Sequence, residues 1–281
     1  MASSPSVRRS TRSPRRRDPK LPPGLGFTPR TPKIAPQPRT PEPTPAGDRN
    51  NGTLPCLVYV AAYVVAVLGG LVGWHAREHG VFNLLQASLA LFAAINAWIC
   101  ICEIALLTGW SRVQEQFKAF RVTHGEWTLP PVFLFQRVTL AEVFSVQYWT
   151  IMWSTYCALD PAYADTTSFG FCVDVGNGVT TLLPTIIFAA GMTAQSALLP
   201  AKWLGMVGLI SFYQELYGTC LYFFQYCFNR KYAHVPTALS LGVVVPANGI
   251  WMAFPLLGMW ASARLILDGN YSIFLGGYAF H

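Results

Sequence analysis

Three carboxylic acids lie inside long apolar segments of this sequence. They are Glu103 in "NAWICICEIALL", Asp174 in "FCVDVGNGVTTLLP" and Glu215 in "YQELYGTCLYFFQY". A charged group at the depth of a bilayer costs several kcal/mol, so we expect each acid to face the interior of a helix bundle and to serve a function. Buried carboxyl groups can donate and accept protons, or can balance the charge of a bound cation.

Polar side chains accompany these acids at helical spacing. Residues three, four or seven apart share a helix face, so each apolar segment has one polar stripe. The stripe residues besides the acids are Asn96, Asn177, Thr181, Tyr222, Asn248 and Trp251. Four stripes on four segments predict a shared interior cavity. The alternative is that the polar groups bond one another and only hold the helices together.

The composition is that of a membrane protein. Of 281 residues, 52% are hydrophobic and 12% are charged, against roughly a quarter charged in soluble domains. The basic charge is concentrated at the N-terminus, where residues 1–50 hold 11 of the 20 Lys and Arg. The remainder of the chain is near neutral, so we expect the lipid bilayer, and no nucleic acid, as its partner.

The predicted fold is all-α, a polytopic transmembrane helical bundle of about five spans over residues 53–281. A span needs about 20 apolar residues, and the candidates are 55–74, 84–108, 171–193, 203–226 and 238–266. The segment 131–157 is interrupted by Arg137, Glu142 and Gln147. We expect it to be interfacial or re-entrant, with a sixth span as the alternative.

Residues 1–52 form a Pro- and Arg-rich tail that we expect to be disordered, with 12 of the 21 prolines in its first 50 residues. Six Ser/Thr-Pro dipeptides make it a candidate for phosphorylation. The distribution of Lys and Arg between the loops predicts a cytoplasmic N-terminus. An organelle transit peptide is an alternative that would fit a plastid membrane, although the prolines disfavour the amphipathic helix it needs.

Metal and cofactor sites are not indicated. His75 and His79 lie one helical turn apart, but the sequence offers no third ligand near them. The seven cysteines contain no C-x-x-C pair, and five histidines are too few for the di-iron membrane oxidases. We therefore predict no metal and no cofactor.

Three further stretches show a family resemblance. "WSTYCALDPAYADTTSFGFCVDVGNGVTTLLP", then "YQELYGTCLYF", then "ANGIWMAFP" resemble, in order and spacing, the emopamil-binding protein superfamily, also called the EXPERA domain family. The resemblance covers about residues 84–266. The residues that best match the family's motifs are Trp153, Tyr156, Asp160, Tyr163, Tyr217, Gly218, Leu221, Tyr222, Phe223, Asn248, Trp251 and Pro255.

The resemblance implies a four- or five-span bundle of the endoplasmic reticulum membrane, with a cavity for a sterol or an amphipathic amine. It adds Tyr217 to the ligand-binding residues. It also implies that Glu103, Asp174 and Glu215 act as the acids and bases of a sterol Δ8-Δ7 isomerase, with Trp251 stabilising a carbocation.

The sequence departs from the isomerase pattern in two places. Ile99 stands where those enzymes carry a His, four residues before the acid of the second span. Asp174 is displaced by one residue from their third-span acid. Three functions therefore stay open: a sterol isomerase, a non-catalytic sterol- or lipid-binding protein, and a small-solute transporter, which would need an internal repeat that the sequence lacks. A homodimer is also left open, as is the identity of the sterol.

Overall fold

A computed structural model of the chain describes residues 53–124 and 132–279. The predictions about the tail concern residues 1–52 and lie outside the described residues. The helices are α1 (Cys56–His79), α2 (Leu84–Thr108), α3 (Trp110–His124), α4 (Leu140–Val143), α5 (Thr150–Tyr156), α6 (Phe169–Ala194), α7 (Ala201–Phe228), α8 (Thr237–Leu239), α9 (Val245–Asp268) and α10 (Ser272–Leu275).

Short elements connect these helices. The 3₁₀ helices are Phe133–Phe135, Val146–Trp149, Pro161–Ala164, Gln195–Ala197 and Lys231–His234, and a π-helical turn, Ser240–Val244, precedes α9. Two antiparallel pairs of two-residue strands join β1 (Leu54–Pro55) to β3 (Arg137–Val138) and β2 (Val81–Phe82) to β4 (Tyr278–Ala279). The all-α prediction is confirmed.

Four segments are long and apolar enough to cross a membrane. They are Cys56–His79, Leu84–Thr123, Phe169–Ala197 and Thr237–Asp268. The chain is therefore a multi-pass membrane protein by the length and composition of its helices. The predicted span 203–226 corresponds to α7, a helix of 28 residues that packs against both α6 and α9 and is not among these four segments. It is less apolar because Gln214 and Glu215 interrupt it.

The long helices alternate in direction. α2 packs on α6, α6 on α7 and α7 on α9, while α1 packs on α2 and α6. One end of the bundle, which we call the tail end, contains the beginning of α1, the ends of α2 and α7, and the beginnings of α6 and α9. At the other end, His79 Nε2 lies 2.8 Å from the Thr193 carbonyl oxygen and His75 Nε2 lies 2.9 Å from that of Phe274.

The connector between α3 and α6 is not a span. Within residues 132–157 the longest helix is α5, with seven residues, which is too short to cross a bilayer. The sixth-span alternative is therefore wrong. The connector is fixed to the bundle at the tail end, where the Trp153 indole donates to the Cys102 carbonyl oxygen at 2.6 Å. Arg137 bonds Thr53 beside the start of α1.

Gly178 permits the closest approach of α6 to α2. A Cβ at this position would lie 2.5 Å from Glu103 Cβ and 3.0 Å from the Cys100 carbonyl oxygen. A methyl group there would overlap with backbone atoms, which cannot rotate away. The absent side chain at Gly178 thus determines how closely the stripe of α6 faces the stripe of α2.

We predict that Gly178→Ala destabilises the bundle by about 1–3 kcal/mol, because the added methyl overpacks the α2–α6 interface. Gly176→Ala is the matched control, since a Cβ there meets no atom within 4 Å and gains the same helix propensity. The free energy of unfolding in mixed micelles should fall only for Gly178→Ala. Equal stability of the two variants would contradict the packing described.

Candidate functional site

Asn96 joins four helices at the centre of the bundle. Its Nδ2 donates to Glu215 Oε1 at 2.7 Å and to Thr185 Oγ1 at 2.9 Å, and its Oδ1 accepts from Trp251 Nε1 at 2.9 Å. The indole can only donate, so it determines which end of the amide faces α9. We call Asn96, Thr185, Glu215 and Trp251 the Asn96 cluster.

Glu215 lies in this cluster with only one of its oxygens bonded. The residue is 1% exposed. Its Oε1 accepts from Asn96, whereas Oε2 is buried and has no hydrogen-bond partner among the described residues. Buried acceptors are rarely left unbonded. Oε2 is therefore available to a donor or a cation that enters the interior.

Glu103 lies two turns along α2 from Asn96, over Gly178 of α6. It is 5% exposed, and its Oε2 is also without a hydrogen-bond partner in the described part of the chain. Cys100, one turn away on α2, lies 3.3 Å from Thr181 Oγ1 of α6. Thr181 in turn donates to the Asn177 carbonyl oxygen of its own helix. The interior face of α2 thus presents an amide, a thiol and a carboxyl group.

Asp174 is half-buried near the tail end of α6, beside a group of aromatic hydroxyls. The Tyr156 and Tyr222 hydroxyls are 3.4 Å apart, and Asn248 Nδ2 donates to the Tyr156 hydroxyl at 3.0 Å. The Tyr163 ring packs against the Tyr156 ring, with centroids 5.3 Å apart, and interacts with Asp174. We call Tyr156, Tyr163, Tyr222 and Asn248 the tyrosine cluster.

Burial raises the pKa of Tyr156, which lies outside the spanning segments, to about 12. Its hydroxyl therefore stays protonated at neutral pH and can relay hydrogen bonds, but it cannot serve as a base. The three carboxylic acids are the candidates for proton acceptors within the site.

The three acids are close enough to influence one another. Glu103 interacts electrostatically with both Asp174 and Glu215. It therefore stands between the Asn96 cluster and the tyrosine cluster. The arrangement is a line of carboxyl groups, one each from α6, α2 and α7, with neutral hydrogen-bonding groups at both ends.

Most of the predicted site residues are brought together. Asn96, Glu103, Thr181, Glu215 and Tyr222 are buried, and Asn248 and Trp251 are partly buried and bonded within the two clusters. Asn177 is partly buried but accepts from Gln214 at 3.0 Å. It thus belongs to the α6–α7 contact rather than to the line of acids.

Tyr217 lies apart from the other predicted site residues. Its side chain is 53% exposed and stacks on Tyr213 with ring centroids 5.8 Å apart. Two residues along a helix correspond to about 200° of rotation, so Tyr217 faces away from Glu215. Its role in ligand binding stays a prediction of the resemblance.

Thr185 and Gln214 were not predicted. Thr185 is four residues after Thr181 and continues the polar stripe of α6 by one turn. Gln214 Nε2 donates to Thr180 Oγ1 at 2.6 Å and to Asn177. The spacing of Thr185 could have identified it. Gln214 lies off the Glu215 stripe, so no periodic signal pointed to it.

The interior next to the Asn96 cluster is tightly packed. A cavity of about 10 Å³ is lined by Thr185, Ser211 and apolar side chains that include Phe92 and Phe188. This is room for about one water molecule. There is therefore no room for a sterol-sized molecule at this place in this conformation, and a large ligand beside the Asn96 cluster requires the helices to move apart.

We predict a measurable coupling between Asn96 and Trp251. Trp251→Phe removes the indole donor while keeping an aromatic ring, and Asn96→Ala removes the amide. In a double-mutant cycle of unfolding free energies, we expect a coupling of about 0.6–1.7 kcal/mol, the usual strength of a hydrogen bond between membrane helices. Strictly additive effects of the two substitutions would contradict the cluster.

Comparison of the chain with protein-family models, with curated proteins and with solved structures gives no match. The EXPERA resemblance therefore stays a prediction that depends on the quoted stretches. The arguments that follow depend on the geometry of the three acids and the two clusters.

Proposed function

We propose that this protein binds a sterol or a similar amphipathic lipid between α2, α6, α7 and α9, and that its buried acids shift a ring double bond of that ligand. The observation that carries the proposal is the line of Asp174, Glu103 and Glu215, in which two carboxyl oxygens have no hydrogen-bond partner within residues 53–124 and 132–279. Structural polar contacts alone would be expected to use those oxygens.

The chemistry suits these groups. A carboxylic acid protonates one carbon of the double bond, and a carbocation forms at its neighbour. A carboxylate then removes a proton from the carbon on the far side of the cation, so the double bond moves and no net proton is consumed. Two carboxyl groups in different protonation states can perform both steps. Glu103 and Glu215 each have a buried oxygen without a hydrogen-bond partner among the described residues.

The surroundings favour a cationic intermediate. Trp251 packs edge-on to Phe92 with ring centroids 6.1 Å apart, and Phe92 stacks on Phe254 at 5.2 Å. An aromatic face contributes about 0.5–2 kcal/mol to binding a cation, which is small beside the cost of an unpaired charge in an apolar interior. The carboxylates are therefore the main counter-charge in this proposal.

Ligand entry would require α6 and α9 to move. Both helices contain an interior proline, Pro184 and Pro255, which removes a backbone hydrogen bond and weakens the helix locally. Pro184 lies beside Thr185 of the Asn96 cluster. Opening at these prolines would separate the four helices where the acids meet.

A non-catalytic sterol- or lipid-binding protein is the second candidate. Ile99 favours it, because the resembling isomerases carry a His at this place. Assay of the purified protein with a Δ8 sterol distinguishes the two functions. Conversion to the Δ7 sterol, abolished in Glu103→Gln, would support the isomerase. Binding of the sterol without conversion would support the second candidate.

We predict that Glu103→Gln weakens binding of a tertiary amine by at least roughly tenfold, or about 1.4 kcal/mol, because the amide keeps the shape and removes the counter-charge. Glu215→Gln and Asp174→Asn should act in the same direction. Glu115→Gln, on the exposed face of α3, is the matched control. Displacement of a radiolabelled amine from purified protein measures the effect.

Two outcomes of that experiment would return the acids to a purely structural role. One is an absence of amine binding by the unaltered protein. The other is unchanged binding in all three variants of the buried acids, provided that each variant elutes and melts as the unaltered protein does.

We also propose that the protein lies in the endoplasmic reticulum membrane with its N-terminus in the cytoplasm. Support comes from the positions of the basic residues: Arg112, Lys118, Arg121, Arg137, Arg230 and Lys231 belong to segments at the tail end. The opposite end has Arg77, Lys202 and Arg264. Basic residues concentrate on the cytoplasmic side of membrane proteins.

Protease added to intact microsomes should therefore remove an epitope placed at the N-terminus. An epitope on the loop between α6 and α7 should resist until detergent opens the vesicles. The reverse pattern of protection would contradict this orientation.

A further inference from the structure

A second pocket, distinct from the line of acids, lies at the tail end of the bundle. Its volume is about 640 Å³, and its polar lining consists mainly of Arg121, Asp160, Asp165, Gln225 and Lys231. These side chains come from α3, from the connector before α6, and from the end of α7 and the turn that follows. The pocket thus lies at the end of the bundle where α6 begins and α7 ends.

Two of the basic and acidic groups in the pocket neutralise each other. Lys231 Nζ lies 3.0 Å from both oxygens of Asp160, a residue with no exposed surface. Asp160 also accepts from the backbone N–H of Ala162 at 3.0 Å. This pair closes one wall of the pocket and leaves no charge for a ligand.

Arg121 is the remaining cation of the pocket. Its guanidinium lies over the Phe117 ring, 4.8 Å from the centroid, and its buried Nε has no hydrogen-bond partner among the described residues. The ion pairs found within residues 53–124 and 132–279 are Lys231–Asp160 and Arg264–Asp268. A positive donor is therefore directed into the pocket without a counter-ion.

The pocket also presents acceptors. Gln225 Oε1 is buried and has no partner in the described part of the chain. Asp165 is fully exposed, and its hydrogen bonds from the Thr167 backbone and hydroxyl, at 2.9 and 2.7 Å, lower its pKa. Asp165 is thus negatively charged at neutral pH. A ligand that satisfies the pocket must carry an anionic acceptor for Arg121 and N–H donors for Gln225 and Asp165.

An apolar surface continues from the pocket along α7. Phe224 and Phe228, on either side of Gln225, are 65% and 75% exposed and stack on each other with centroids 5.6 Å apart. Phe228 is three residues after Gln225 and so lies on nearly the same helix face. Exposed aromatic rings at a membrane boundary typically contact lipid.

From these features we infer that the pocket binds the zwitterionic headgroup of an aminophospholipid of the ethanolamine type, with its phosphate on Arg121 and its ammonium on Gln225 and Asp165. A choline headgroup has no N–H donor for these acceptors, and an anionic glycerol headgroup offers them neutral hydroxyl donors but no cation for the Asp165 carboxylate. Soluble phosphoethanolamine offers the same polar groups but has no chains for Phe224 and Phe228.

Native mass spectrometry of the detergent-purified full chain tests this inference. The probes are phosphatidylethanolamine, phosphatidylcholine and phosphatidylglycerol with identical acyl chains. We expect the ethanolamine lipid to be retained at least about tenfold better than the choline lipid. Arg121→Gln should reduce that retention about tenfold and Gln225→Leu should reduce it in the same direction, while Arg112→Gln, on the same helix but outside the pocket lining, should not.

Several outcomes would overturn the inference. Equal retention of the three lipids would show that the pocket does not discriminate between headgroups. A preference for phosphatidylglycerol would show that the pocket selects anionic lipids. Equal loss in Arg121→Gln and Arg112→Gln would place the lipid elsewhere. If soluble phosphoethanolamine displaced the bound lipid at equal concentration, the pocket would recognise the phosphoethanolamine group alone. The inference that its ligand is a membrane lipid would then be refuted.

Discussion

The structure depends on the hydrogen bonds of one buried amide. Asn96 bonds side chains from three other helices, and its donors and acceptor are all used. Nothing in a bilayer can replace such bonds if the helices separate without a ligand, because lipid chains offer no hydrogen-bonding groups. The positions of α6, α7 and α9 around α2 are therefore coupled at this single residue, and Glu215 is held in place by it.

The hydrogen bonds of Asn96 also explain why the interior beside Thr185 is tightly packed. In the packed interior beside Thr185, the side chains around Asn96 form hydrogen bonds with one another. Two oxygens, on Glu103 and Glu215, have no hydrogen-bond partner in the part of the chain that the structure describes. Because each interhelical hydrogen bond contributes only about 0.6 kcal/mol on average in membranes, a ligand that supplies a cation to those oxygens can offset the loss of a few such bonds.

The helices could be predicted well because apolar length is the main requirement for a span. Segment 84–108 coincides with α2, and segments 171–193 and 203–226 differ from α6 and α7 by at most two residues at either end. The predicted span 238–266 lies within the membrane-length segment Thr237–Asp268. Within that segment a π-helical turn, Ser240–Val244, precedes α9, and composition alone does not reveal such a change of helix geometry.

The site could be predicted in part, and the physical reason is periodicity. Asn96, Glu103 and Glu215 were found because a polar group in an apolar helix must face protein. Tyr217 was assigned from a resemblance without regard to its direction on α7, and the structure places it on the opposite side of that helix from Glu215. The pairing of Asn177 with Gln214, and the closeness of α2 to α6 at Gly178, depend on helix rotation and separation, which a single sequence does not specify.

The central claim is that the line of acids forms a ligand site within the membrane, and photolabelling tests it most directly. A tertiary amine sterol analogue carrying a diazirine should be cross-linked in the intact membrane, and the labelled peptides should be identified. The account predicts labels on α2, α6, α7 and α9 near Asn96, Glu103 and Trp251, all lost with excess unlabelled analogue. Labels confined to lipid-facing residues such as Tyr217 and Ile210, unaffected by competitor, would contradict it.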